Sequence, residues 1–427
     1  MGIPFIRKES TRNFMKLFSG TMLAQGMSFL LAPILARLFT PDDFGLLALY
    51  MSIFSILSVI ATAKYEQAIM LPKNDRDAIA LAWLTGAITL FVSVGSLVIV
   101  VVFNTPLAAL SGNPHIAPWL LLLPVSLMLH GIHQSATYYA NRNKHFGLMA
   151  SATVVQYTAL NTVRVAAGWL KTAWNGLITG QLVSQLVAAL VMLAGERKAI
   201  LLKSNRPSVK EMRSQALIYS GYPRFNMPLN FTNNLSGSLP IFMLTWGFSP
   251  AMAGLYAFGF NFVFRPISLF SQSAMQVLSQ KIIADHHSAK PVYPTLKRLI
   301  TRLLMLMSAP MLLLAVFAPA IFGLIFSEDY RMAGYMIQVL SPYLLMVFIT
   351  SPVSFIPELY FRQKKAMVID MIYLVLRAAA LASGIAAGSI MLAMTLFAIV
   401  STLVVGYNLF WYLSMARSQD KPIHQKP

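Results

Sequence analysis

The sequence predicts an all-α polytopic membrane protein: about twelve transmembrane helices in two six-helix bundles, related by a pseudo-twofold axis along the membrane normal, around a central cationic cavity. Three observations carry that expectation. The 427 residues are 57% hydrophobic and only 11% charged, with a mean hydropathy of +0.65, against the roughly one-quarter charged content of soluble domains. The apolar residues fall in runs long enough to cross a bilayer. A short motif near the start recurs about half a chain later.

A helix crossing the hydrocarbon layer needs about 20 apolar residues. On that ruler the spans lie near 14–39, 43–71, 78–104, 116–140, 146–170, 174–196, 214–245, 250–280, 296–325, 331–360, 366–388 and 389–416. The first is too long for a signal-peptide core and lacks a small-residue cleavage pattern, so it is expected to stay attached. Numbering the gaps alternately separates the basic residues. The N-terminus, the even gaps and the tail hold 25 of the 33 Lys and Arg, while the odd gaps hold only Arg37, Lys171 and Arg331. The positive-inside rule then places both termini in the cytoplasm. The net charge of +19 reports orientation, not nucleic-acid binding, because it is spread in short clusters between apolar runs.

The odd gaps, 40–42, 104–115, 171–173, 247–250, 327–331 and the turn near Ser389, are too short to fold into a catalytic domain, which needs about 50 residues. The longest polar segment, 196–213, divides the spans six and six. It therefore bounds an N-terminal bundle with its linker, 1–213, and a C-terminal bundle with its tail, 214–427. The motif Phe39-Thr-Pro41-Asp-Asp-Phe-Gly45-Leu-Leu-Ala48 recurs as Phe248-Ser-Pro250-Ala-Met-Ala-Gly254-Leu-Tyr-Ala257, at an offset of 209 residues. Both copies join the first and second spans of their half. That pattern fits two parallel repeats, although a proline-initiated turn with a glycine contact is a common local motif in its own right.

The polar content of the stretch 218–240 sets the functional expectation. It holds Arg224, Asn226, Asn230, Asn233, Asn234 and the prolines 223, 228 and 240, a load that no lipid-facing helix carries. Such backbone and side chains are tolerated at membrane depth only against protein or a water-filled cavity. Arg224 and Arg265 sit well inside their spans, near the midplane, and guanidinium groups in such a cavity can bind phosphate bidentately. The alternative is a packing salt bridge or a snorkelling side chain.

Lys64 and Glu66 lie near the end of the second span. At i and i+2 on a helix they point to different faces and are not expected to pair. Either Lys64 joins the anion site and Glu66 balances it or takes up a cation, or the two charges pair structurally with another span. Asp370 and Arg377 share a helical face and are given charge-balance or structural roles. Arg164 is close enough to the end of its span to snorkel. His130 and His133 share a face and either carry protons or pack by hydrogen bonding. The Asp285-His286-His287 run lacks a third ligand at recognisable spacing. There is no cysteine, no P-loop, no nucleophile elbow and no dinucleotide fingerprint, so no cofactor, no metal and no enzymatic activity are expected.

The strings Ser19-Gly-Thr-Met-Leu-Ala-Gln25, Pro41-Asp-Asp-Phe-Gly45, Lys64-Tyr-Glu66-Gln-Ala-Ile-Met-Leu-Pro72 and Arg265-Pro266…Gln276-Val-Leu-Ser-Gln resemble those of the bacterial polysaccharide repeat-unit flippases. These form the polysaccharide transporter branch of the multidrug/oligosaccharidyl-lipid/polysaccharide exporter superfamily. The resemblance implies an inner-membrane protein that moves an undecaprenyl-pyrophosphate-linked oligosaccharide to the periplasmic leaflet by alternating access. Its cationic cavity would be formed largely by the first two helices of each half. It implies substrate contacts from Gln25, Lys64, Arg224, Asn226, Asn230 and Arg265, and as partners the lipid-linked glycan, membrane lipids and a polysaccharide polymerase with its chain-length machinery. Nucleic acid is not expected. Many relatives carry arginine where Lys64 stands, and lysine keeps the charge without the bidentate fork. Two rival functions are a drug or cation exporter of the same superfamily, which would need acidic groups in the cavity, and a glycan polymerase or acyltransferase, which would need a large outer loop or a histidine constellation.

Overall fold

Among the residues described in the computed structural model, 8–172, 174–200, 206–288 and 291–419, there are helices and no strands. In chain order the helices are α1 (Lys8–Leu38), α2 (Pro41–Thr62), α3 (Asp75–Leu110), α4 (Ala117–Leu120), α5 (Leu123–Arg142), α6 (Phe146–Trp169), α7 (Gly176–Ile200), α8 (Val209–Ile218), α9 (Met227–Gly247), α10 (Pro250–His287), α11 (Tyr293–Ile325), α12 (Arg331–Thr350), α13 (Ile356–Leu359), α14 (Gln363–Ala386) and α15 (Ile390–Gln419). Eight stretches are long and apolar enough to cross a membrane: α1 from Gly20, α2, α3, α7, α11, Glu328–Leu359, α14 and α15. A ninth is the pair Pro114–Leu120 and Leu123–Arg142, bent by 49°. The chain is a multi-pass membrane protein. Expected spans also fall on α6, α9 and α10, whose polar side chains (Gln156, Asn161 and Arg164; the asparagines of α9; Asn261 and Arg265) keep them from qualifying by composition.

Local chemistry explains the helix starts. Thr40 caps α2 in a reciprocal capping box: Asp43 N–H donates to Thr40 Oγ1 at 3.3 Å and Thr40 N–H donates to Asp43 Oδ2 at 3.0 Å, with Pro41 in the first turn. In the second copy of the motif, Ser249 Oγ accepts from Met252 N–H at 3.3 Å ahead of Pro250. Both copies thus satisfy donors that a helix start leaves open. Ser208 and Glu211 form a second reciprocal box at α8.

The described residues form two compact units, Met1–Trp246 and Gly247–Pro427. In the chain, the first unit ends at Trp246, and the sequence-based division falls at the 196–213 linker. The helix after the linker joins the first unit because its polar face bonds to α2: Asn234 Nδ2 donates to Ser55 O at 2.7 Å, and the Ser238 and Ser55 hydroxyls are 3.3 Å apart. Phe242 adds an apolar contact with the core that α2 forms with α5 and α7 around Leu49, Tyr50, Leu127 and Ile178. Tyr50 and Ser126 share a buried hydrogen bond of 2.5 Å.

In the second unit an aromatic ladder joins Phe258, Phe262, Phe322, Phe326 and Tyr330 at centroid separations of 4.7–6.5 Å. A second cluster packs Val292 and Leu296 against Val353, Trp411 and Met415. Gly384 lets α14 approach α15 so closely that a Cβ there would overlap the Ala393 backbone. On both units long apolar rows stay exposed, among them Phe91, Val94 and Val98 on α3 and Leu312, Val316 and Phe317 on α11. Those are the faces that hydrocarbon covers in a membrane.

Candidate functional site

The second span does not run as one helix over 43–71. α2 stops at Thr62, and Ala63 (φ 46) and Lys64 (φ 62) adopt the left-handed conformation before a 3₁₀ turn at Tyr65–Met70. Two successive non-glycine residues there are costly, on the order of 1 kcal/mol or more each, and surrounding contacts hold them. Tyr65, Ala68 and Ile69 are buried against Ile79, Tyr139 and Ile200, and the Tyr65 hydroxyl donates to Ala216 O at 3.0 Å.

This break overturns one expectation. Lys64 Nζ lies 3.5 Å from Glu66 Oε1, with side chains 17% and 3% exposed. The rule that i and i+2 face apart holds on a continuous α-helix, and there is none between 62 and 65. The pairing therefore follows from the backbone reversal. Glu66 Oε2 is buried with no hydrogen-bond partner, so the carboxylate is only partly satisfied. His130, packed edge-on to Phe54 with ring centroids 5.4 Å apart, lies within electrostatic reach of both Lys64 and His133.

The second half of the site comes from 218–247. α8 ends at Ile218, a π-helical turn covers Tyr222–Asn226, and α9 follows, so the expected span 214–245 is two helices with a widened turn between them. Proline chemistry accounts for the turn. Pro223 has no N–H to give Tyr219 O, which accepts instead from Tyr222 N–H at 3.0 Å. Widened turns of this kind re-aim side chains and recur at functional positions. Here the turn presents Arg224, which is exposed and whose charge reaches Tyr65.

Asn226 Nδ2 donates to Gln67 Oε1 at 3.3 Å, joining the turn after α8 to the break after α2. Asn230 Nδ2 donates to Asn226 O at 2.8 Å. Lys64, Glu66 and Gln67 thus lie on one break, Arg224 and Asn226 on the turn and Asn230 just after it, and the Asn226–Gln67 hydrogen bond makes the two breaks one candidate polar cluster in the first unit. Gln67, Tyr65 and Ser55 were not singled out in the sequence. The signal for Gln67 was its place beside Glu66 in an otherwise apolar run, and Ser55 meets Asn234 through its carbonyl, which no side-chain pattern reveals.

The remaining residues lie on other elements. Gln25 is half-buried on α1. Arg265 is exposed on α10, immediately before Pro266, in the second unit. Asp370 is exposed on α14, whereas Arg377, on the same helix, is buried between the rings of Tyr373 and Phe397 at 4.6 and 4.8 Å. A cation between aromatic faces is stabilised by their quadrupoles. Arg164 does not simply snorkel: its Nε donates to Leu177 O at 3.3 Å. The side chains of Asp285, His286 and His287 lie outside the described residues. Among the described residues no group of three or more His, Cys, Asp or Glu could hold a metal ion.

Electrostatically the cluster is asymmetric. Lys64 has a carboxylate beside it, while Arg224 makes none of the ion pairs seen among the described residues. An exposed guanidinium with amides alongside can receive an anion together with hydroxyl-bearing groups.

Comparison with known proteins places the chain. The sequence profile of the family described as "Polysaccharide biosynthesis protein" matches residues 34–335, well over half of the chain. The succinoglycan biosynthesis transport protein ExoT of Rhizobium meliloti (strain 1021) is 32% identical over 108 residues, a stretch covering 24% of this chain and only 21% of that protein. Among solved structures, the lipid II flippase MurJ in an inward closed conformation aligns with a TM-score of 0.71 at 14% identity, over 93% of this chain and 90% of that one. An inward-facing multidrug resistance transporter of the MATE family, in the MOP superfamily, aligns with a TM-score of 0.70 at 12% identity, over 95% and 96%. A MOP superfamily transporter from Pyrococcus furiosus aligns at 0.62 and 12% identity, over 96% of each chain. At these identities the structural likeness is one of fold. The chain belongs to the polysaccharide biosynthesis protein family.

Proposed function

We propose that this protein is a flippase for an undecaprenyl-pyrophosphate-linked oligosaccharide, carrying it from the cytoplasmic to the periplasmic leaflet of a bacterial inner membrane for surface polysaccharide assembly. The observation that carries the reading is the pair of helix breaks joined by the Asn226–Gln67 hydrogen bond, with Lys64 on one break and the exposed Arg224 on the other, followed by Asn230 on the helix it leads into. A diphosphate cannot cross hydrocarbon unaided and a sugar chain adds hydroxyls that need partners. Guanidinium and amide groups supply both kinds of contact, and the prenyl tail stays in lipid. Membership of the polysaccharide family and the MurJ-like fold support the same class of cargo.

In this reading the nine apolar stretches and the three polar helices α6, α9 and α10 make twelve spans, arranged as two six-helix repeats with both termini cytoplasmic. Alternating access proceeds by rocking of the repeats, and Arg265 is a further guanidinium expected to contact the cargo. A polymerase with its chain-length machinery takes over the product. A cation exporter, which the same fold also serves, would need unpaired acidic groups at the site, and Glu66 is already engaged by Lys64.

In a deletion strain, lipid-linked repeat units should accumulate on the cytoplasmic face, and Arg224→Ala or Arg265→Ala should fail to restore surface glycan with normal amounts of protein in the membrane. Full glycan at normal protein level in both variants would sink the assignment, and accumulation on the periplasmic face would identify a polymerase instead.

A further inference from the structure

We propose that the basic face at the start of α11 is a binding site for the phosphodiester headgroup of an anionic glycerophospholipid, distinct from the cargo cluster in the first unit. The sequence of this helix places its cations on two adjacent ridges. Pro294, Arg298 and Arg302 follow one another at intervals of four, and Lys297, Thr301 and Met305 form the neighbouring row. Rows spaced by four residues lie side by side on a helix with a groove between them, and these six residues line a shallow groove on the surface. Lys297, Arg298 and Arg302 are exposed, and none takes part in any ion pair among the described residues. Three cations on one groove with no ion pair among the described residues call for an anion.

The surroundings say what kind of anion. Directly beyond the groove the same helix exposes Met305, Leu306, Leu312, Leu313, Val316 and Phe317, each at least half accessible, so an occupant with acyl chains covers apolar surface that a free phosphate would leave bare. At the same end of this unit Arg417 lies 6.0 Å from the ring of Tyr293, and Lys365 lies 4.8 Å from the ring of Trp411. Aromatic rings and basic side chains gathered at one helix end mark the depth of the headgroups. Arginine and lysine at that depth recognise anionic headgroups, each contributing about fivefold in affinity. The two arginines, one turn apart, match the two free oxygens of a phosphodiester. The inference needs α11 only to span the membrane and does not rest on the flippase reading.

The test is native mass spectrometry of the full chain, purified and reconstituted in nanodiscs of phosphatidylcholine with or without phosphatidylglycerol. The wild-type protein should retain phosphatidylglycerol through transfer to detergent, and the K297Q/R298Q/R302Q variant should lose that affinity on the order of 100-fold, about fivefold per charge, with phosphatidylcholine retention unchanged. Arg298→Gln and Arg302→Gln singly should each lose about fivefold, a readout that survives if the triple variant does not fold. Equal retention by wild type and variants, or equal retention of phosphatidylcholine, would overturn the proposal. Displacement of phosphatidylglycerol by millimolar inorganic diphosphate would also overturn it, by assigning the groove to the diphosphate of a lipid-linked cargo. Loss of surface glycan in Arg224→Ala together with intact phosphatidylglycerol retention keeps this site separate from the transport site.

Discussion

Lys64 and Glu66 hold each other at 3.5 Å in the first unit, and the buried Glu66 Oε2 has no hydrogen bond. Removing one partner of a buried pair leaves an uncompensated charge, at a cost of roughly 3–5 kcal/mol when burial is complete. Lys64 is 17% exposed, so Glu66→Gln should destabilise by less, about 1–2 kcal/mol, and Lys64→Met should cost more because it strands the more deeply buried Glu66 carboxylate, 3% exposed. Thermal unfolding of the purified variants checks the order, and equal losses would show that water reaches both. Glu211 behaves differently because it lies outside the spans. The hydrogen bond from Arg76, at 2.5 Å, and those from the Ser208 backbone and hydroxyl lower its carboxyl from 4.5 to about 2. A folded value below the unfolded one stabilises at higher pH, and that contribution fades as pH falls from 4.5 through about 2. Protection of the α8 amides, taken relative to their intrinsic exchange rates, should therefore fall as pH drops from 4.5 towards about 2 in wild type, and Glu211→Gln should already be weakly protected at pH 7 with little further change.

At the scale of elements, the decisive features are the places where helices stop. The 3₁₀ turn after α2 and the π turn before α9 meet through Gln67 and Asn226, so each break is stabilised by the other. Pro223→Ala restores a donor for Tyr219 O and removes a ring that interrupts the ladder, a change worth up to about 3 kcal/mol in helix interiors. The variant should be more helical by circular dichroism and at least as stable, yet should assemble less surface glycan because Arg224 is re-aimed. Unchanged glycan with increased helicity would show that the widened turn is dispensable. The helix starts at Pro41 and Pro250 were legible in the sequence, since Thr40 and Ser249 precede a proline at a span boundary. The stop at Thr62 was not: Ala63 and Lys64 have positive φ, and neither residue type signals a left-handed turn, which sequence reading expects at glycine or asparagine.

At the scale of the whole molecule, the chain contains no cysteine, which makes its orientation directly measurable. Single cysteines at Ser111, in the join between α3 and α4, and at Ser208, before α8, lie in opposite classes of gap. A membrane-impermeant maleimide added to intact cells stripped of outer membrane should label Ser111→Cys and spare Ser208→Cys until the membrane is permeabilised. Labelling of Ser208→Cys first would invert the topology. The helix 227–247 shows where whole-chain reading stops. Counting spans assigns it to the second half, whereas its hydrogen bonds to Ser55 and its Phe242 contact seat it in the first compact unit.

The sequence by itself determined the membrane class, most of the helices and the polar character of 218–240. Each depends on composition and short-range periodicity, and the energy of placing apolar or charged residues in hydrocarbon is large enough to be read residue by residue. Only the tertiary structure decided that Lys64 pairs with Glu66, that Gln67 accepts a hydrogen bond from Asn226, and that Arg377 rests between two aromatic rings. Those outcomes hinge on a reversal of two backbone dihedrals and on contacts between residues far apart in the chain. Their energies of a few kcal/mol are set by the neighbours that fold brings together, and a linear pattern does not record them.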